Sequence, residues 1–287
     1  MIANYLIGLR EGLEASLIVV ILVSYLVKSD RRHLLPRIWS GVAIAVAVSL
    51  GFGALLTYGP RGLTFEAQEL IGGTLSIVAV GFVTWMVMWM AKSAKGLSAD
   101  LRGRVDDAAD AGAGALMLVA MLAVGREGLE TALFLWAATQ AASSGSDSAT
   151  TPLVGAALGI LTAVAIGFLI YRSALKLNLA RFFAWTGVFL IVVAAGVLSY
   201  GVHDLQEAGV LPGLNNLAFD VSHVITPTSW VGTLLKGTIN FSPATTWLEA
   251  IAWVAYIIPT MTVFWLRLRD NRPVAPDRAP APHSPAH

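Results

Sequence analysis

Arg10-Glu11-Gly12-Leu13-Glu14 recurs without change as Arg126-Glu127-Gly128-Leu129-Glu130, 116 residues further on. The likeness continues past the pentapeptide, with Ala15-Ser16-Leu17 answered by Thr131-Ala132-Leu133. Both copies lie inside long apolar stretches. Six ionisable residues left unpartnered in a membrane would cost on the order of 15–20 kcal/mol, at about 2.5–3.5 kcal/mol each. They must therefore be shielded from lipid and paired. On a helix Arg10 reaches Glu14, and Arg126 reaches Glu130, at i,i+4. Glu11 with Glu14, and Glu127 with Glu130, share a face at i,i+3. Gly12 and Gly128 remove side-chain bulk from each motif, and Gly8 with Gly12 makes a GxxxG packing face. Two such faces opposed hold four carboxylates against two arginines, a formal charge of −2. Hard oxygen donors of this kind suit Mg, Ca, Mn or iron, and one divalent ion neutralises the set. The spacing makes Glu14 and Glu130 the arginine-paired members and leaves Glu11 and Glu127 as the freer ligands. A role as mere interhelical salt bridges is the weaker reading, because apolar packing stabilises a bundle as well as buried ion pairs do.

The elements that carry these residues must be membrane-spanning helices. Of 287 residues 56% are hydrophobic and 13% charged, about half the charged share of a soluble domain, and the mean hydropathy is +0.70. Apolar runs of roughly 20 residues match the thickness of a hydrocarbon core, and a lone segment in lipid satisfies its backbone only as a helix. Seven spans are expected, at about Tyr5–Val27, Ile38–Tyr58, Leu70–Ala91, Gly112–Ala142, Leu153–Tyr171, Phe182–Val202 and Trp247–Leu266. The first is read as a retained helix rather than a cleaved signal, since Arg10, Glu11 and Glu14 interrupt it and no basic stretch precedes it. There is no cysteine, which removes disulfides, thiolate metal sites and cysteine nucleophiles. The net charge of +1 says nothing about partners, and no nucleic-acid partner is expected.

Fifteen of the nineteen basic residues fall on one side if the N-terminus is outside. They occupy the loops around Arg31–Arg37, Lys92–Arg104 and Arg172–Arg181, and the segment after Arg267. Arg61 and Lys236 lie opposite, and Arg10 and Arg126 lie within spans. By the positive-inside rule the protein sits in the cell membrane with its N-terminus out and its C-terminus cytoplasmic. Trp39, Trp89, Trp185, Trp247 and Trp265, near span ends, suit interfacial anchoring. Three spans separate equivalent points of the two motifs, so the halves face opposite ways: an inverted repeat of about 1–91 and 112–207 plus a seventh helix at about 247–266, with a midplane site between the halves. A permease domain is thus expected over 1–272. The Pro- and Ala-rich stretch 273–287 reads as a disordered cytoplasmic tail, in which His283 and His287 carry no structured site.

At these residues the chain resembles the oxidase-dependent iron permeases, which comprise the fungal high-affinity iron permeases and the bacterial EfeU-type permeases. That family's hallmark is Arg-Glu-x-x-Glu in the first and fourth of seven helices, matched here by Arg10, Glu11, Glu14 and by Arg126, Glu127, Glu130. The likeness runs from Ile2 to about Leu266 and takes in His203-Asp204-Leu205-Gln206-Glu207-Ala208-Gly209. It implies iron, ferrous or ferric, as transported substrate, with no cofactor. It also implies an extracytoplasmic oxidase or iron-binding protein as partner. The family includes members associated with lead, so a different divalent metal is the alternative cargo. A membrane di-iron carboxylate enzyme is the other alternative; such bundles add Glu-x-x-His motifs, and no glutamate here has histidine three residues on.

Secondary groups fall near the span ends. Glu66 and Glu69 open the third span; His203 and Glu207 close the sixth and, with them, are candidates for an outer vestibule. Acids at a helix N-terminus are explained by the macrodipole, whereas acids at a C-terminus need another reason. Asp106, Asp107 and Asp110 read as a solvated helix start rather than an exit station. Met86, Met88 and Met90, with Met117 and Met121, alternate around their helix and read as packing or lipid-facing groups rather than a soft-metal path. Glu249 reads as interfacial. The outer segment 208–246 contains a short apolar stretch near 230–235 that lies on the membrane or dips into it.

Overall fold

The computed structural model describes residues 2–93, 112–143, 150–172, 179–226 and 241–270, with a few positions between 103 and 108 and between 229 and 236. Asp106, Asp110, residues 144–149 and the 273–287 stretch lie outside the described residues. Seven long helices dominate: α1 (Ile2–Lys28), α2 (Leu35–Tyr58), α3 (Phe65–Ser93), α4 (Ala113–Ser143), α5 (Thr150–Tyr171), α6 (Leu179–Glu207) and α7 (Trp247–Asp270). Five of them are long and apolar enough to cross a membrane by composition. The other two, α1 and α4, are as long, and they are the two that carry the charged motifs.

Burial is inverted relative to a protein in water. Arg10 is among the largest fully buried side chains, while Leu50, Leu161 and Trp185 are two-thirds exposed. Helices α2 and α5 turn apolar faces outward, the arrangement in which lipid rather than water covers the bundle. All five tryptophans expected as anchors are exposed.

Packing follows the repeat. The most extensive interfaces are α1 with α5, α2 with α4, α3 with α6, and α1 with α4. Exchanging α1–α3 for α4–α6 converts the first pair into the second and maps the other two onto themselves. The bundle therefore has the pseudo-twofold order of a three-plus-three inverted repeat, and α7 packs outside it on α6 and α3. Asn4 near the start of α1 donates to the Thr139 hydroxyl near the end of α4 at 2.8 Å, so the two motif helices run antiparallel.

Glycine sets how close the crossings come. A Cβ at Gly8 would lie 2.6 Å from the Ala156 carbonyl oxygen, and one at Gly159 would collide with the Tyr5 carbonyl. Gly41 meets the Met117 carbonyl in the same way, and Gly73 and Gly201 each approach the other's carbonyl. These are backbone-to-backbone contacts, the close approach that small residues permit where no hydrophobic force drives helices together. The expected Gly8–Gly12 face is indeed a packing face, laid against Ala156, Ile160 and Ala163 of α5.

One element departs from an all-helical reading. Leu217–Asp220 (β1) and Ala244–Thr246 (β2) pair as a small antiparallel ribbon, Leu217 opposite Thr246 and Asp220 opposite Ala244, within the segment that joins α6 to α7.

Candidate metal site

Helices α1 and α4 cross at their motifs and bring carboxylates from both halves together. One carboxylate oxygen from each of Glu11, Glu14 and Glu127 lies within 4.8 Å of the others. All three residues are buried. The carboxyl groups of Glu14 and Glu127 thus face one another across the crossing of the two helices. Glu11 Oε2, Glu127 Oε2 and Glu130 Oε2 are buried without a hydrogen-bond partner, as is Glu14 Oε1. Buried polar atoms are otherwise almost always satisfied, so these open oxygens are available to a ligand.

The two arginines are placed differently. Arg10 is 1% exposed; its guanidinium lies 3.0 Å from Glu11 Oε1 and 3.4 Å from Glu14 Oε1. Arg126 is 40% exposed, donates to Glu130 Oε1 at 2.9 Å, stands 4.0 Å from Glu127, and lies over the ring of Trp89. The expectation from spacing holds for Arg126 and Glu130. Arg10 also pairs with Glu14 as the spacing predicts, but its nearer partner is Glu11, its chain neighbour, which the spacing left free. Helix spacing missed this because the Arg10 position is set from outside its own helix: Met86 and Met90 of α3 accept from its two terminal nitrogens at 3.2 and 3.1 Å, and Phe183 of α6 lies under it. Met86 and Met90 stand at i,i+4, one face, and both are buried. The alternation with Met88 concealed that face.

A second cluster stands at the end of the bundle where α1 begins. Glu69, Tyr200, His203, Asp204, Glu207 and Glu249 line a cavity of about 460 Å3, closed on the other side by Ser222, Lys236, Phe241 and Ala244. His203 bridges two acids, Nε2 to Glu207 at 3.5 Å and Nδ1 to Glu249 at 3.1 Å. Asp204 is buried with Oδ1 unpartnered. Glu66 is exposed and is not among the lining residues. Glu249 is not interfacial. It is buried and closes a capping box on α7, accepting from Thr246 N at 3.3 Å and Thr246 Oγ1 at 3.0 Å while its own N–H donates to Thr246 Oγ1. The signal was present as Thr246-Trp247-Leu248-Glu249, a threonine with glutamate three residues on. Between this cavity and the buried glutamates lies a dry seam of Ile7, Val83, Phe134, Leu190 and Val197, enclosing a void of only about 20 Å3.

Residues 1–269 match the iron permease FTR1 family. The chain belongs to that family. Among its relatives is "Ferrous iron permease EfeU" of Escherichia coli O157:H7, 38% identical over 269 residues, which span 93% of this chain and 96% of the relative. The protein of the same name from Yersinia pestis is 36% identical over 274 residues, 94% of this chain and 95% of the relative. No solved structure matches. Membership of this family makes the chain a multi-pass membrane permease rather than a di-iron enzyme, with metal as cargo and not as resident cofactor.

Proposed function

We propose that this chain conducts ferrous iron across the cell membrane through a site built by Glu11, Glu14 and Glu127, with Glu130 beside it and Arg10 and Arg126 as fixed counter-charges. The observation that carries the reading is the convergence of three buried carboxylates from two antiparallel helices, with open oxygens. The choice of ferrous iron rests on the relatives' names; oxygen donors alone also suit other divalent metals. The cavity of Glu69, His203, Asp204, Glu207 and Glu249 is the vestibule that gathers ions on the outer face, where an oxidase or iron-binding partner would deliver them. The dry seam holds this conformation closed between vestibule and site, so passage requires α1, α3, α4 and α6 to part there.

The test is ferrous uptake under reducing conditions by the purified protein in liposomes, with manganese, lead and zinc as competitors. Glu11→Gln with Glu127→Gln should reduce uptake to background while the protein still inserts and elutes as the parent does. Near-normal uptake by that double variant would show that the motifs are scaffolding and that the ion travels elsewhere.

A further inference from the structure

Arg10 presents five N–H donors in a buried, fixed fork. Each terminal nitrogen is shared: one donates to Glu11 and to Met86 Sδ, and the other donates to Met90 Sδ while standing 3.4 Å from Glu14. A thioether is an uncharged, weak acceptor. A buried arginine whose spare donors go to sulfur rather than to carboxylate is therefore using partners that add no negative charge and take no ligand oxygen. Both sulfurs belong to α3, which carries no part of either motif. Met86 and Met90 are buried in the apolar core, and Met88, two residues from each, is only partly buried against it and is not among the acceptors of the Arg10 guanidinium.

Resting on the reading of Glu11, Glu14 and Glu127 as the cation site, we propose that Met86 and Met90 are positioning residues that hold the Arg10 guanidinium back toward α3 and so keep carboxylate oxygens free for the metal. Arg10 Nε is already buried without a partner. Without sulfur acceptors more N–H groups are left open, an unmade hydrogen bond in a buried site is expensive, and the Glu11 and Glu14 oxygens are the acceptors the guanidinium already lies beside. Arginine readily pairs with carboxylate through two parallel bonds. Arg10 would then close on Glu11 and Glu14 and compete with the incoming cation. The two methionines act through Arg10 on affinity, without touching the metal.

Leucine keeps the bulk and apolar character of methionine but accepts no hydrogen bond. The experiment compares the parent, Met86→Leu with Met90→Leu, and Met88→Leu, in liposomes and as purified protein titrated with ferrous iron under reductant. The double variant should raise the KM for uptake and the Kd for ferrous iron by about tenfold, the effect of roughly one to two lost hydrogen bonds, with the maximal rate within about a factor of two. Met88→Leu should match the parent in both. An unchanged Kd in the double variant overturns the proposal; so does a fall in maximal rate and thermal stability at unchanged Kd, which is what packing alone would give. Glu11→Gln with Glu127→Gln, titrated alongside, separates the two ideas. If that variant binds iron as the parent does, the glutamate site itself is wrong; if it does not bind while the methionine variant is normal, only the role of the methionines fails.

Discussion

The two copies of one pentapeptide are chemically identical and physically unequal. Arg10 is enclosed by Glu11, Glu14, two sulfurs and the Phe183 ring, whereas Arg126 lies half open over Trp85 and Trp89. Removing a buried charge strands its partners, and breaking such a pair costs about 3–5 kcal/mol. Arg126 is less enclosed, although its partner carboxylates are largely buried. Arg10→Ala should therefore lower the thermal unfolding midpoint in detergent sharply, with much of the protein lost to aggregation, while Arg126→Ala lowers it less. Equal midpoints for the two variants would mean that the burial difference carries no energetic weight. The asymmetry also distinguishes the carboxylates. Arg126 engages Glu130 and leaves Glu127 to α1, so the three-oxygen cluster takes two of its members from the first repeat and one from the second.

At the level of elements, the site's precision depends on crossings where backbone meets backbone. The α1–α5 and α2–α4 contacts brace each motif helix, and α3 crosses α6 at Gly73 and Gly201. Any side chain at Gly159 or Gly41 must push its neighbour's main chain away, since the atom it would strike is a carbonyl and cannot rotate aside. Gly159→Leu or Gly41→Leu should prevent recovery of a monodisperse protein. Gly51→Ala and Gly81→Ala, at positions with nothing within 4 Å, should leave the unfolding midpoint within a few degrees of the parent. Size-exclusion profiles and melting curves of the four variants decide it, and a well-behaved Gly159→Leu protein would contradict the packing described here. The short ribbon of β1 and β2 adds a different kind of order. Thr246 ends β2, caps α7 and donates to Gln206 of α6, so the connection between the last two helices is tied to the vestibule wall rather than free above it.

For the molecule as a whole, the inverted repeat places chemically equivalent surfaces on opposite sides of a membrane, and what breaks the equivalence is charge. The loops assigned inward carry nearly all the basic residues, while the opposite end carries the acid-lined cavity. Such a cavity raises the local concentration of cations at the mouth. Single cysteines placed in the Arg31–Arg37 loop, in the 143–151 loop and after Arg267 report the orientation, since the chain has no cysteine of its own. An impermeant maleimide applied to intact cells should label the 143–151 position alone; labelling of the C-terminal position with protection of 143–151 would reverse the topology and move the vestibule to the cytoplasm.

Sequence alone determined the number of long helices, the antiparallel relation of the motif helices and the two charged motifs that had to meet. Those features follow from local facts: apolar runs of membrane length, the high cost of isolated charge in lipid, and an identical pentapeptide three helices apart. Tertiary structure decided which carboxylates meet, which arginine is sealed, and that Met86 and Met90 face Arg10 rather than lipid. It also moved Glu249 from the interface into a buried cap beside His203, and left Glu66 outside the cavity that Glu69 lines. Spacing along one helix predicts only what that helix can offer to itself. The partner of Arg10 was chosen by α3 and α6, whose rotation against α1 depends on side-chain contacts along the whole crossing, a quantity that no single segment contains.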